Sequence, residues 1–163
     1  MENRKEFTFP SADGRTAIHA VEWHPEREPA GVLQIAHGVA EYALRYEPFA
    51  CFLNAHGFLV VANDHLGHGE SVAEGAPRLY FGEKGSWQHV VDDMYTLRCR
   101  TGEAYPELPY FIMGHSMGSF LTRTYLIRYP GTVKGAILMG TGQMPPALVA
   151  AGRVLAAREA RKV

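Results

Sequence analysis

A five-residue segment, Gly-His-Ser-Met-Gly at positions 114–118, limits what this chain can fold into more than any other feature. It follows a short apolar run, Pro109–Met113, and precedes a helix-like segment. A G-x-S-x-G sequence in that setting is typical of a strand-to-helix turn so sharp that the residues flanking the serine must be small. Such a turn lifts the serine hydroxyl out of the sheet and aims the following backbone N–H groups at a developing negative charge. Ser116 is therefore a candidate nucleophile.

Strand-like and helix-like segments alternate along the chain. Apolar or alternating runs predict strands at 6–10, 17–23, 31–36, 58–62, 109–113 and 133–139, the first two joined by a hairpin turn at 11–14. Helical periodicity predicts helices over about 42–56, from 87 behind an N-cap at Ser86, over about 117–129, and over about 147–162. This order predicts an α/β fold with a mostly parallel sheet flanked by helices. The strand ending at Met139 would form an exposed apolar edge.

Composition and charge exclude several classes of protein. A net charge of −1 gives none of the clustered basic surface that nucleic-acid binding requires. Cys51 and Cys99 lie outside any C-x-x-C spacing, which fits a reducing compartment. The charged N-terminal residues are not followed by the apolar stretch of a signal peptide, and no apolar run approaches the roughly 20 residues that span a bilayer. We therefore expect a cytoplasmic protein.

Four segments together resemble one branch of the α/β-hydrolase superfamily, the monoacylglycerol lipase and lysophospholipase-like (serine aminopeptidase-type) branch. They are His-Gly-Val-Ala-Glu at 37–41, Arg-Tyr at 45–46, Asp-His-Leu-Gly-His-Gly-Glu-Ser at 64–71 and Gly-His-Ser-Met-Gly-Ser at 114–119. A lone G-x-S-x-G is weakly specific, but the four in this order, within residues 31–140, form a strong match. The resemblance implies an α/β-hydrolase fold.

The resemblance also implies a role for each matching site residue. Ser116 corresponds to the nucleophile that attacks an ester carbonyl and forms an acyl-enzyme. Met117 and Val39 correspond to the two residues whose backbone N–H groups form the oxyanion hole. Gly38 lets the loop of Val39 approach closely, because it has no Cβ. No cofactor and no metal is implied.

The sequence departs from the family at two places. Many relatives have a second glycine after the turn, where Ser119 stands here, and we expect the small hydroxyl to be tolerated. In the family a helical cap, the catalytic acid and the catalytic histidine follow the nucleophile in that order. Here no histidine follows Ser116, and the only acid is Glu159. We expect residues 1–143 to be the N-terminal part of the core and residues 144–163 the start of the cap. The fold would then lack its C-terminal strands and most of the cap, and a C-terminal segment would supply the triad Asp and His.

Several histidines close to these motifs have alternative interpretations. His115 is the direct neighbour of Ser116 and cannot easily swing round to accept the Oγ proton. His37 fits a residue that shapes its loop by hydrogen-bonding the backbone better than it fits a general base. His65 and His68, with acids nearby, superficially resemble a metal site, but a glycine-rich turn gives no helical register in which three or four ligands converge. We expect no metal there.

Other charged and polar residues are predicted to be structural. Glu41 and Arg45, spaced i, i+4 at a helix start, would form an exposed pair. Asp92 and Asp93 would belong to a solvated helix face, and Cys51 to the core.

The last predicted helix allows two interpretations. Its apolar stripe and its basic residues are Leu148, Ala151 and Leu155, and Arg153, Arg158, Arg161 and Lys162. A cap helix covering an acyl pocket is favoured, and a basic amphipathic helix lying on a membrane surface is the alternative. Peripheral membrane contact therefore stays open.

The sequence as a whole predicts a cytoplasmic serine hydrolase that cleaves carboxylic esters of the acylglycerol or lysophospholipid type through an acyl-enzyme on Ser116. Serine at the turn excludes epoxide hydrolase and dehalogenase chemistry, which would need aspartate there. Two alternatives remain. One is a serine aminopeptidase on the same scaffold. The other, which follows from the missing histidine, is a non-catalytic α/β-hydrolase-like fragment that binds a small molecule or a partner chain.

Overall fold

The structure, a computed structural model, describes residues 3–83 and 85–159. Its strands are β1 (Arg4–Pro10), β2 (Ala17–Trp23), β3 (Gly31–Ala36), β4 (Phe58–Asn63), β5 (Tyr110–His115) and β6 (Gly135–Met139). Its helices are α1 (Glu47–Ala55), α2 (Trp87–Ala104), α3 (Met117–Arg128) and α4 (Pro146–Glu159), with a short 3₁₀ helix at Ala43–Tyr46 before α1. Every strand and helix predicted from the sequence is present, with boundaries shifted by a few residues.

The strands form one mixed sheet in the order β1-β2-β4-β3-β5-β6. The first two make the predicted antiparallel hairpin, and β2 pairs antiparallel with β4. From β4 through β3 and β5 to β6 all pairs are parallel. All six residues of β3 are buried, as expected of a central strand covered by helices on both faces.

Two hydrophobic clusters, one on each face of the sheet, hold the helices in place. Successive residues of β3 point to opposite faces, so Val32 packs in the cluster with α2 and α3, and Leu33 in the cluster with α1. The α2 contribution comes from the predicted stripe, Val90, Val91, Met94 and Leu97. Trp87, the first residue of that stripe, is 42% exposed because it lies at the open end of the helix.

The segment predicted as one helix over 42–56 begins as a 3₁₀ helix, and only Glu47–Ala55 is α-helical. Ala50 faces the sheet and is buried, but the adjacent Cys51 is exposed, so its predicted place in the core was wrong. Adjacent residues lie about 100° apart around a helix, and α1 is covered along one side only.

Two further predictions about α2 were wrong. The side chain of Ser86 makes no capping hydrogen bond at the start of the helix. Asp93 is fully buried rather than solvated. Its carboxylate accepts hydrogen bonds from Ser11 Oγ (2.8 Å) and from the Ala12 N–H (2.7 Å) in the β1–β2 turn. Asp92 accepts a 2.6 Å hydrogen bond from the Tyr129 hydroxyl, which ties α2 to the end of α3.

The β6 side of the sheet is the predicted exposed apolar edge. Ile137, Leu138 and Met139 are 38–50% exposed. No described side chain of α4 is buried, and Leu148 and Leu155 of its apolar stripe are 54% and 61% exposed. Arg161 and Lys162, which belong to the predicted basic stripe, lie outside the described residues. Among the residues described, no helix is both long and apolar enough to span a bilayer.

Candidate active site

Ser116 occupies a strained turn between β5 and α3. Its backbone has φ 51° and ψ −117°, a combination that L-residues rarely adopt and that costs about 1–3 kcal/mol. Its N–H donates a 2.9 Å hydrogen bond to the carbonyl of Met139 at the end of β6. Strain of this kind persists only where the surrounding structure enforces it, and it clusters at functional sites.

The glycines on either side of Ser116 are required by contacts that leave no room for a side chain. A Cβ at Gly114 would overlap the carbonyl of Gly118 and the Thr122 hydroxyl. A Cβ at Gly118 would overlap the carbonyl oxygens of Ala36 and His37. The residues on both sides of Ser116 therefore have to be small, as predicted for this turn.

The loop after β3 reaches the turn at Gly38. A Cβ built on Gly38 would lie 3.3 Å from the Cβ of Ser116, so the two backbones are in close approach. Val39 follows with its side chain 56% exposed, and Ala40 adopts a positive φ of 57°. On the other side of Ser116, Met117 is the first residue of α3, and the first N–H groups of a helix have no partner within it. The structure thus brings both predicted donor segments next to the serine.

His37 shapes this loop. Its buried ring donates from Nδ1 to the carbonyl of Gly38 (2.7 Å) and accepts at Nε2 from the N–H of His65 (2.9 Å). An imidazole that donates at one nitrogen and accepts at the other is neutral. Burial lowers the pKa of His37 to about 4, in agreement with that hydrogen bonding. Both ring nitrogens of His37 therefore hydrogen-bond the backbone, as predicted for a loop-shaping residue.

Glu41 has a second role that sequence reasoning missed. It forms the expected pair with Arg45 at 3.1 Å, but its Oε2 also accepts from the N–H of Gly38 (2.7 Å) and from the Tyr46 hydroxyl (2.9 Å). Burial opposes its ionisation, but the bonds from Gly38 and Tyr46 outweigh burial and lower the pKa of Glu41. The signal was its position three residues after Gly38, where a carboxylate can reach back to an N–H.

Asp64 anchors the loop after β4 in a similar way. Its carboxylate accepts from the backbone N–H groups of Ala43 (2.6 Å) and Glu70 (2.9 Å) and lies 2.9 Å from Nδ1 of His19. His65 is fully buried, with its ring centroid 4.1 Å from that of His37. Burial lowers the pKa of His65 well below its ordinary value. These residues, which superficially resembled a metal site, hold one loop against another.

The contacts of His115 argue against a role as the base for the Ser116 hydroxyl. Its Nδ1 lies 3.2 Å from the Tyr46 hydroxyl and 3.4 Å from Oε2 of Glu41. These residues border an open groove of about 320 Å³ beside the turn. The groove is lined by Glu41, Arg45, Tyr46, Phe49, Met113, His115 and Met139. It is apolar along β5 and β6 and charged next to the loop that follows β3.

Comparison with known sequences gives consistent matches. The sequence profile of the family described as serine aminopeptidase, S33, matches residues 27–162. A monoacylglycerol lipase of Mycolicibacterium smegmatis is 36% identical over 157 residues, which are 93% of this chain and 54% of that protein. A monoglyceride lipase of Homo sapiens is 34% identical over 122 residues, 72% of this chain and 37% of that protein.

Comparison with solved structures gives the same result. A highly thermostable carboxyl esterase from Bacillus coagulans, in complex with glycerol, superposes with a TM-score of 0.86 at 34% sequence identity. The match covers 98% of this chain and 51% of the esterase. The predicted α/β-hydrolase fold is therefore confirmed. The chain spans about half the length of the esterase and of the bacterial relative, and less of the human one.

Proposed function

We propose that this chain, which belongs to the serine aminopeptidase S33 family of α/β-hydrolases, is the nucleophile-bearing part of a carboxylic-ester hydrolase. One observation carries the proposal. Ser116 is held in a strained conformation between two glycines that admit no side chain, with the Gly38 loop against it. Its relatives named as monoacylglycerol lipases and as a carboxyl esterase support an ester substrate.

In the proposed mechanism the Ser116 hydroxyl attacks the ester carbonyl carbon. The carbonyl oxygen becomes an oxyanion that accepts hydrogen bonds from the N–H groups of Met117 and Val39, and loss of one such donor typically lowers the rate about 10²–10³-fold. Collapse releases the alcohol and leaves an acyl-enzyme on Ser116, which water then hydrolyses to the free acid. A histidine from a C-terminal segment of the same protein, oriented by an acid, would accept the serine proton and give it to the departing alcohol. In the second step it would take a proton from the attacking water and return it to Ser116.

The proposed substrate is a lipid-like ester, an acylglycerol or a lysophospholipid. The groove beside Ser116 supports this because it combines the apolar side chains of Phe49, Met113 and Met139 with the charged pair of Glu41 and Arg45. A cytoplasmic location, with peripheral membrane contact for a lipid substrate, is part of the same proposal. So is the division into core residues 1–143 and the start of a cap at 144–163.

Two alternative functions are each supported by a specific observation. A serine aminopeptidase would use the same nucleophile on an amide, and the family profile carries that description. A non-catalytic α/β-hydrolase-like binding protein would need no histidine after Ser116, and none is present in this chain. The first would cleave an aminoacyl anilide faster than an ester, and the second would turn over neither.

The test is Ser116→Ala in the full-length protein, assayed against a monoacylglycerol, a lysophospholipid and an aminoacyl p-nitroanilide. We expect ester hydrolysis to fall by about 10⁴-fold or more, because the other triad members contribute little without the nucleophile. Ser86→Ala is the matched control, since the Ser86 side chain makes no capping bond at the start of α2. Unchanged ester turnover in Ser116→Ala would contradict the proposal.

A further inference from the structure

Ser119 makes two hydrogen bonds to a single atom of the strained turn. Its buried hydroxyl donates to the carbonyl oxygen of Ser116 at 2.6 Å, and its backbone N–H donates to the same oxygen at 2.9 Å. The hydroxyl bond is short for an O–H donor, and its donor residue is shielded from water. A glycine at this position could make only the backbone bond.

The carbonyl that Ser119 holds belongs to the peptide group between Ser116 and Met117. A peptide group is planar and trans, so its C=O and N–H point in opposite directions. Fixing the carbonyl of Ser116 therefore fixes the direction of the Met117 N–H. Accepting a hydrogen bond at the carbonyl also polarises the amide, which strengthens its N–H as a donor.

We propose that Ser119 is a positioning residue that orients and polarises the Met117 N–H for the oxyanion formed on attack by Ser116. This inference rests on the proposed function, which places that N–H in the oxyanion hole. Ser119 touches no reacting atom itself. It acts through the peptide group it holds.

Local bonds from serine or threonine to a preceding carbonyl are common in helices, and α3 has another one. Thr124 Oγ1 donates to the carbonyl of Phe120 at 3.3 Å on the exposed side. That bond is longer, and its peptide group is one turn away from the reacting serine. Comparing variants of Ser119 and Thr124 separates a general effect on the helix from an effect on the site.

The experiment measures kcat and KM of the full-length protein for a monoacylglycerol, in Ser119→Ala and Ser119→Gly. Both variants remove the hydroxyl and keep the 2.9 Å backbone bond, so the glycine variant repeats the test if the alanine variant folds poorly. We expect kcat to fall roughly tenfold with KM unchanged, because the bond acts on a donor engaged only in the transition state. Affinity for a boronic acid transition-state analogue should fall by a similar factor.

Thr124→Ala on α3 is the matched control, because it removes the comparable exposed bond. It should keep kcat within twofold.

Each outcome decides the matter. Wild-type kcat and analogue affinity in both Ser119 variants, with Ser116→Ala inactive, would overturn the role of Ser119 and leave the proposed function standing. A rise in KM with unchanged kcat, or an equal loss of kcat in Thr124→Ala, would also overturn it. Full turnover in Ser116→Ala would overturn the proposed function itself, and the role of Ser119 with it.

Discussion

The carbonyl oxygen of Ala36 lies against the Cα of Gly118 so closely that a Cβ at position 118 would overlap it. This contact joins the last residue of β3 to the first turn of α3. It therefore sets the distance between the loop that follows β3 and the strained serine. The two segments proposed to form the oxyanion hole are held in register by a contact between backbones.

Gly118→Ala is therefore expected to destabilise the fold severely. The overlapping atoms are backbone carbonyls of Ala36 and His37, which cannot rotate aside as a side chain can. We expect a loss of about 3 kcal/mol in the free energy of unfolding, at the upper end for overpacking. Urea denaturation followed by circular dichroism measures it. Gly142→Ala is the control, because a Cβ there meets no atom within 4 Å, and equal effects in the two variants would refute the contact.

Glu41→Ala should destabilise the chain far more than Arg45→Ala. Loss of Glu41 leaves the Gly38 N–H and the Tyr46 hydroxyl without their acceptor, at an expected cost of about 2–3 kcal/mol. Arg45 is 63% exposed in its side chain, and an exposed i, i+4 pair contributes less than about 0.5 kcal/mol. Chemical denaturation of both variants under identical conditions gives the comparison. An equal loss in both would mean that the ion pair, not the loop, accounts for the role of Glu41.

Stability should rise with pH between 5 and 6. His37 and His65 stay neutral in the fold, with pKa values lowered to about 4 and well below 6.5 respectively, so the unfolded chain binds two more protons below pH 6.5. Asp93 acts in the opposite direction, because burial raises its pKa from 3.8 to about 6 and the folded chain keeps one proton. One net proton corresponds to about 1.4 kcal/mol per pH unit.

The substitution Asp93→Asn removes the carboxyl whose proton in the folded chain opposes the effect of the two histidines. The slope should steepen toward about 2.7 kcal/mol per pH unit. Urea midpoints at pH 5.0, 5.5 and 6.0 for both proteins measure the two slopes. A slope that is the same in both would show that Asp93 does not hold a proton in the fold.

Deleting residues 144–163 should change the unfolding free energy by less than about 1 kcal/mol. No described side chain of α4 is buried, so the deletion removes little apolar contact from the folded chain. Deletion from residue 134 onward is the contrasting variant. It also removes β6 and the carbonyl of Met139 that accepts from the N–H of Ser116. Thermal unfolding should separate the two truncations clearly, and a large loss from the shorter deletion would show that α4 packs on the core.

The strands were predictable because the local sequence alone indicates which segments are buried. Buried parallel strands such as β3 and β4 are short apolar runs between turn residues, and the glycines around Ser116 follow from the sharpness of one turn. Asp93 could not be predicted, because its partners lie 81 and 82 residues away in the first turn. The dual role of Glu41 was missed for a related reason. The i, i+4 spacing accounted for its partner Arg45, and only the folded loop shows that Gly38 is nearer.

The position of β3 also sets an order of events during synthesis. Its two neighbours are β4, which follows within 30 residues, and β5, which begins at Tyr110. At about 5–20 residues per second, roughly 2–10 seconds separate completion of β4 from emergence of β5. During that interval one edge of β3, a strand whose six residues are all buried in the finished fold, has no partner. The strained turn at Ser116 forms only after that edge is filled, and a nascent chain stalled before Tyr110 would be exposed to aggregation.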